Sequence, residues 1–367
     1  MDKRITIAID ARPLTRGKGG IQRYLKKILD CVSHSQEIAI ILYCDEKVPA
    51  HILKDMRPVK IRHLSGSKIS KLLWHARSCV WAFKDKPDIF WSPRHHLPLF
   101  LPKATKKLVT IHDLVWKNYP ETLPRSKLLV ERLLMPRAIA DADRVICVSN
   151  TTKNQLTSFN SNIESRCRVI HNGFDTPTKL RTIAVPEQPF YLAVGTLEPR
   201  KNYEMLIAGF DHYIGLGGSN NLVIVGKKGW SYEAIYLAHK HANHGDKITI
   251  TSGINDASLD ELYRTSLGFI STSYDEGFGL PAIEAHVRNC PLLLTDIAVY
   301  RELFPFAKCW LDTSSKNVLG QQLLDSELDI QPPYKPDDKL FKHQTWQKCA
   351  DQHLHIFLKL AAGISSD

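Results

Sequence analysis

A chain of 367 residues, 43% hydrophobic and 24% charged, is long enough for about two globular domains. It has no run of 18 apolar residues, so no membrane-spanning helix is read. Its charged opening, MDKRITIAIDARP, lacks the apolar core of a secretory signal, and a cytoplasmic location is expected. The net charge of +11 is uneven: residues 1–185 hold 33 Lys and Arg against 16 Asp and Glu, while residues 186–367 hold 16 against 22. A basic half joined to an acidic half implies an anionic partner for the first half, such as nucleic acid, an anionic membrane surface or a phosphorylated lipid. The eight cysteines show no CxxC spacing, which argues against a zinc site and for buried thiols.

In chain order, short apolar runs predict strands at 4–10, 38–44, 60–64, 88–92, 107–113, 144–149 and 168–172. Their continuous apolar character suits strands covered on both faces, as in a parallel sheet. Helical patterns lie between them, at 20–32, 67–84, 125–141 and 150–158. Residues 173–189, rich in Pro, Thr and charge, read as a linker. The alternation then restarts, with strands at 190–196, 222–227, 247–253, 267–273, 291–296 and 308–312. Two successive strand–helix series predict two doubly wound α/β domains with a cleft between them. Ligands in such sheets bind at the carboxyl ends of strands.

Candidate residues lie at those ends. In GTLEPRKN, Arg200 and Lys201 precede Asn202 at the start of a helix, which makes an anion site. In YDEGFGLPAIEAH, Gly277 and Gly279 allow close backbone approach, and Pro281 suits a first helical turn. Glu276 and Glu284 flank that turn, where carboxylates accept hydrogen bonds from sugar or ribose hydroxyls. His112 and Asp113 end a strand, and Arg94, His95 and His96 follow another. Gly19 and Gly20 precede a helix without forming the GxGxxG fingerprint, which weighs against a nicotinamide cofactor. The Asp pair of DAD, Asp141 and Asp143, precedes a strand and is a weak metal motif.

Taken in order, GGIQRY, HDL, VSN, HNGFD, the RKN stretch and the E-x7-E pair Glu276/Glu284 resemble the retaining family 4 glycosyltransferases of the GT-B fold, along nearly the whole chain. The resemblance implies two Rossmann-like doubly wound domains facing each other across a cleft. It implies an acceptor-binding domain at 1–180, a nucleotide-sugar-binding domain at 187–338, and a C-terminal helix at 339–367 crossing back to the first. It gives catalytic roles to His112, Arg200, Lys201 and Glu276. Donor contacts fall to Gly19, Gly20, Asn202, Gly253, Ile254, Gly277, Phe278, Gly279, Leu280 and Glu284, and acceptor contacts to Arg94, His95 and Asp113. No metal is required, because Arg200 and Lys201 stabilise the departing diphosphate.

The implied activity is transfer of a hexose with retention, from GDP-mannose as the best-fitting donor, onto a lipid-diphosphate-linked surface glycan such as an O-antigen. A UDP-sugar or dTDP-rhamnose donor, or a non-catalytic sugar-nucleotide-binding subunit, remain as alternatives. The implied partners are the nucleotide sugar, the glycan acceptor and the anionic inner membrane surface, and not nucleic acid. Peripheral membrane contact is expected through residues 67–84, where Ile69, Leu72, Leu73, Val80 and Trp81 alternate with basic residues; a core-packed helix is the competing reading.

Overall fold

A computed structural model describes residues 4–15, 19–57, 59–64, 74–175, 188–329 and 344–364. The chain divides into two compact units: Met1–Leu114, Ser126–Gly173 and His343–Asp367 form one, and Val115–Arg125 with Phe174–Lys342 form the other.

Among the described residues, unit 1 holds seven strands: β1 (Ile5–Asp10), β2 (Ile38–Cys44), β3 (Lys60–His63), β4 (Ile89–Ser92), β5 (Lys106–Ile111), β6 (Arg144–Cys147) and β7 (Cys167–Val169). They pair in parallel in the order β3-β2-β1-β4-β5-β6-β7. β4 is wholly buried, and β1 and β5 are buried beyond their first two residues, which is why these strands read as apolar runs rather than alternating ones. The helix Gly20–Val32 buries Tyr24, Leu25, Ile28, Leu29 and Val32, a stripe at helical spacing. It packs on the last helix, Trp346–Ala361, whose buried face includes Cys349, His353, Phe357 and Leu360. That helix belongs to unit 1 although a whole second unit precedes it in sequence.

Unit 2 holds six described strands: β8 (Phe190–Val194), β9 (Asn221–Val225), β10 (Ile248–Thr251), β11 (Gly268–Ser271), β12 (Leu292–Thr295) and β13 (Cys309–Leu311). Their order is β10-β9-β8-β11-β12-β13, again all parallel. Its core gathers Tyr191, Leu206, Phe210, Ile224, Leu293 and Leu319. The direction of strand succession reverses between β1 and β4 in unit 1 and between β8 and β11 in unit 2. Such switch points are where open α/β sheets leave a crevice for ligands.

Two expectations need adjustment. Of the helix expected over 67–84, the described part is Trp74–Asp85, and residues 65–73 lie outside the described residues. Trp81 does not join an outward apolar face, because it is buried against Tyr43 with ring centroids 5.3 Å apart. Most of the linker, 176–187, also lies outside the described residues. Asp143 of DAD accepts the Lys107 amide at 2.8 Å and so fastens the start of β5.

Candidate active site

At the unit 2 switch point, β8 runs into Gly195–Glu198, a single 3₁₀ turn Pro199–Lys201, and the helix Tyr203–Gly215. Asn202 joins turn to helix in the left-handed region, φ 54°, which asparagine tolerates better than most residues. This sharp turn brings Arg200 and Lys201 back over the end of β11. There Arg200 Nη1 donates to Glu276 Oε2 at 2.8 Å and to the Asp275 carbonyl at 2.6 Å, while its other nitrogens donate to Glu198. Lys201 Nζ and Ser273 Oγ both donate to Glu276 Oε1.

Glu276 is 8% exposed. Burial by itself would raise its pKa, but the Arg200 and Lys201 charges outweigh burial and hold it down at about 2. The residues assigned separately to diphosphate and sugar are therefore one hydrogen-bonded cluster, in which two carboxylates balance two cations. An arriving diphosphate must share those cations with Glu276 and Glu198.

Gly279 has φ +78° at the start of the helix Leu280–His286. A Cβ there would lie 2.6 Å from the Tyr300 ring, so both conformation and space require glycine. Glu284, inside that helix, is buried and accepts from the Tyr263 hydroxyl at 3.0 Å. Phe278 is buried. Asn202 Oδ1 accepts from the Tyr274 hydroxyl at 2.9 Å, and its buried Nδ2 has no partner among the described residues. Gly253, after β10, has φ +74° with open space where a side chain would stand, and Ile254 beside it is half-buried.

In unit 1, His112 and Asp113 follow β5, and Arg94, His95 and His96 follow β4. His112 Nε2 faces the Pro93 carbonyl at 2.8 Å; a carbonyl only accepts, so that nitrogen carries the proton and Nδ1 carries the lone pair. Burial, and then the neighbouring His95 charge, push its pKa down to about 4. His112 is thus neutral near pH 7, able to hydrogen-bond but not to supply positive charge. Gly19 is extended and Gly20 opens the helix Gly20–Val32.

Glu131, which sequence reasoning missed, underlies this group. It stands in the helix Arg125–Asp141, with its carboxylate 2.9 Å from His96 and 3.4 Å from His95. Nothing in RSKLLVERLLMPRAIAD singles out one acid; only its burial against two histidines does. Burial would lower His95, but Glu131 overcomes it and raises the pKa. At His96, burial prevails and the pKa falls. Neutral His95 accepts the His112 amide at 3.3 Å.

Glu131→Gln is expected to lower the melting temperature most between about pH 4.5 and 6.5. Glu131's own pKa is depressed, so its contribution is present above 4.5 and lost as pH falls. His95's pKa is raised, so its contribution is full below 6.5 and lost as pH climbs through the folded value. A pH-independent difference in melting temperature between variant and parent would refute the pairing.

Two parallel doubly wound units, the second carrying a cation–carboxylate cluster at its switch point, have the architecture of the GT-B fold. Residues 18–177 match the model of Glycosyltransferase Family 4, and residues 177–319 match that of Glycosyl transferases group 1. The chain belongs to the family 4-like GT-B glycosyltransferases. It is similar to the serotype-specific mannosyltransferase WbdA of Escherichia coli, 32% identical over 44% of this chain and 22% of the relative. The match thus spans less than a quarter of that relative's length. The O-antigen chain mannosyltransferase B of E. coli is 23% identical over 70% of each chain. Among solved structures, sucrose-phosphate synthase of Thermosynechococcus elongatus superposes with TM-score 0.77 at 17% identity, covering 98% of this chain and all of that one. Anabaena HepE, solved with UDP and glucose, gives TM-score 0.65 at 16% identity over the full length of both.

Proposed function

We propose that the protein transfers a hexose, with retention of configuration, from a nucleoside-diphosphate sugar onto a growing surface glycan carried on a lipid diphosphate. GDP-mannose is the proposed donor, on the strength of the mannosyltransferase relatives. The observation that carries this reading is the Arg200–Lys201–Glu276–Ser273 cluster at the β8/β11 switch point. In the reaction the bond from the anomeric carbon to phosphate breaks and its electron pair leaves with the diphosphate. The acceptor hydroxyl bonds to the same face of the sugar and passes its proton to the departing phosphate oxygen. Negative charge thus grows on the leaving group, where Arg200 and Lys201 stabilise it without needing a metal. Glu276 and the backbone of Gly277–Gly279 hold the donor sugar, Glu284 its ribose, and neutral His112 hydrogen-bonds the transferred sugar.

Thermal unfolding in EDTA tests the donor, since a ligand bound only by the native state raises the melting temperature. GDP and GDP-mannose are expected to raise it. A response to UDP or dTDP ligands alone would replace the donor, and no response to any nucleotide would sink the catalytic reading.

An anionic membrane is the proposed seat of the lipid-linked acceptor. In unit 1, Leu133 and Phe100 are 64% and 65% exposed, alongside exposed Leu129, Val130, Val80 and Phe83. Arg137 links the helix Arg125–Asp141 to this loop, donating to the Leu99 carbonyl and lying 5.8 Å over Phe100. The Phe100 amide in turn meets Cys79 Sγ of Trp74–Asp85. Exposed Lys127, Arg132 and Lys84 border these side chains on their helices, the composition of an interfacial surface facing anionic lipid. Vesicles containing phosphatidylglycerol are expected to pellet the protein at moderate salt, and Leu133→Asp to release it. Protein that stays wholly in the supernatant, or self-associates through this face instead, would exclude membrane docking.

A further inference from the structure

A pocket of about 430 Å³, within the usual range for small-molecule sites, opens in unit 2 beyond the carboxyl ends of β11, β12 and β13. None of the residues assigned above to the donor lines it. One wall is a stacked pair, Tyr119 on Tyr274, with centroids 5.7 Å apart and planes 18° from parallel. That wall is braced. The Tyr274 hydroxyl is tied to Asn202, the Tyr274 amide to the Arg200 carbonyl at 3.0 Å, and the segment bearing Tyr119 to Asp275 through Asn118 and to Trp230 through the Thr122 carbonyl. Trp310 lines the pocket further round, beside Asp296 and Asp312.

The composition of the lining selects among ligands. No lysine or arginine is among the lining residues. Arg301, beside the lining residues, is engaged by both oxygens of Asp296 and lies 3.8 Å over Trp310. Carboxylates and hydroxyls without cations disfavour a phosphate. They suit a neutral polyol whose hydroxyls donate to Asp312 and Asp296, while the aromatic rings cover the C–H face of a sugar. The pocket also abuts the transfer site, because Ser273 lines it and donates to Glu276 at 2.8 Å.

We infer that this pocket is a saccharide subsite that holds a neutral sugar unit of the acceptor glycan, recognised by the Tyr119–Tyr274 stack, Trp310 and Asp312. The inference rests on reading unit 2 as the sugar-transferring unit. It separates the acceptor's glycan, bound here, from its diphosphate.

The test uses the full chain and its tryptophan emission, titrated with neutral mannose and glucose trisaccharides and, separately, with inorganic pyrophosphate. A saturable response to a trisaccharide is expected. It should vanish in Trp310→Phe and weaken roughly tenfold in affinity in Asp312→Asn, the loss of one charge-assisted hydrogen bond. The melting-temperature shift produced by nucleotide should stay unchanged in both variants. No saturable response to either trisaccharide, an equal response in Trp310→Phe, or saturation by pyrophosphate alone would overturn the subsite. Failure of the transfer reading looks different: nucleotide would not shift the melting temperature, whatever the trisaccharides do.

Discussion

Lys201→Ala is expected to lower kcat/KM by roughly 10²–10³, the usual cost of removing one preorganised electrostatic donor from a developing charge. It should also lower stability, because Glu276 is buried and loses one of its two cations. The loss should be smaller than the roughly 3–5 kcal/mol seen when a buried charge loses its only partner, since Arg200 and Ser273 remain. The two effects separate in the double variant Lys201→Ala/Glu276→Gln, which should regain stability but not rate. The pH dependence has a definite sign. Glu276's depressed pKa contributes stability above its unfolded value of about 4.5, lost in the parent only as pH falls towards about 2. Without Lys201 that loss should begin at higher pH. Unchanged kcat/KM with an unchanged acid limb would falsify the cluster's role.

Gly173→Ala is the second large effect, and it acts through packing rather than through charge. A Cβ on Gly173 would stand 2.3 Å from the Trp346 amide nitrogen and 2.4 Å from its Cα, both backbone atoms that no rotamer change can move. The helix Trp346–Ala361 would have to lift at its first turn. That helix is fastened to the core of unit 1 by a directed chain of hydrogen bonds. His353 Nδ1 meets the Cys349 carbonyl at 2.7 Å and so carries the proton, which leaves Nε2 to accept from the Tyr24 hydroxyl at 2.6 Å. Tyr24 in turn contacts Thr110, which accepts from Trp91 Nε1. The Tyr24 ring stands edge-on to His112 with centroids 4.9 Å apart. Overpacking of this kind costs roughly 1–3 kcal/mol or more. We expect a melting temperature lower by several degrees and faster proteolysis at the C-terminal helix. Wild-type stability in this variant would show that the close approach is not rigid.

Much of the architecture could be read from the chain because it rests on local pattern. Unbroken apolar runs such as RVICVS and LVIVG mark strands covered on both faces, and the Tyr24-to-Val32 stripe marks an amphipathic helix. The cationic and acidic candidates at strand ends were also legible, since a doubly wound sheet puts its ligand residues there. Glu131, Glu198, Ser273 and Tyr119 were not. Each is an ordinary residue in its own segment and gains meaning only from a partner brought to it by folding. Trp81 was misplaced for the same reason, because amphipathic spacing cannot say which face another element covers.

By itself, then, the sequence determined the two strand–helix series and the break between them, and it put Arg200, Lys201, Glu276 and His112 beyond strand ends, with Glu284 in the helix that follows. All of these follow from short-range periodicity and turn chemistry. Only the tertiary structure decided that Arg200, Lys201 and Glu276 form one neutralised cluster and that His112 is held neutral. Charge state depends on burial and on partners brought together by folding, 76 residues apart for Arg200 and Glu276, and no local pattern carries that information.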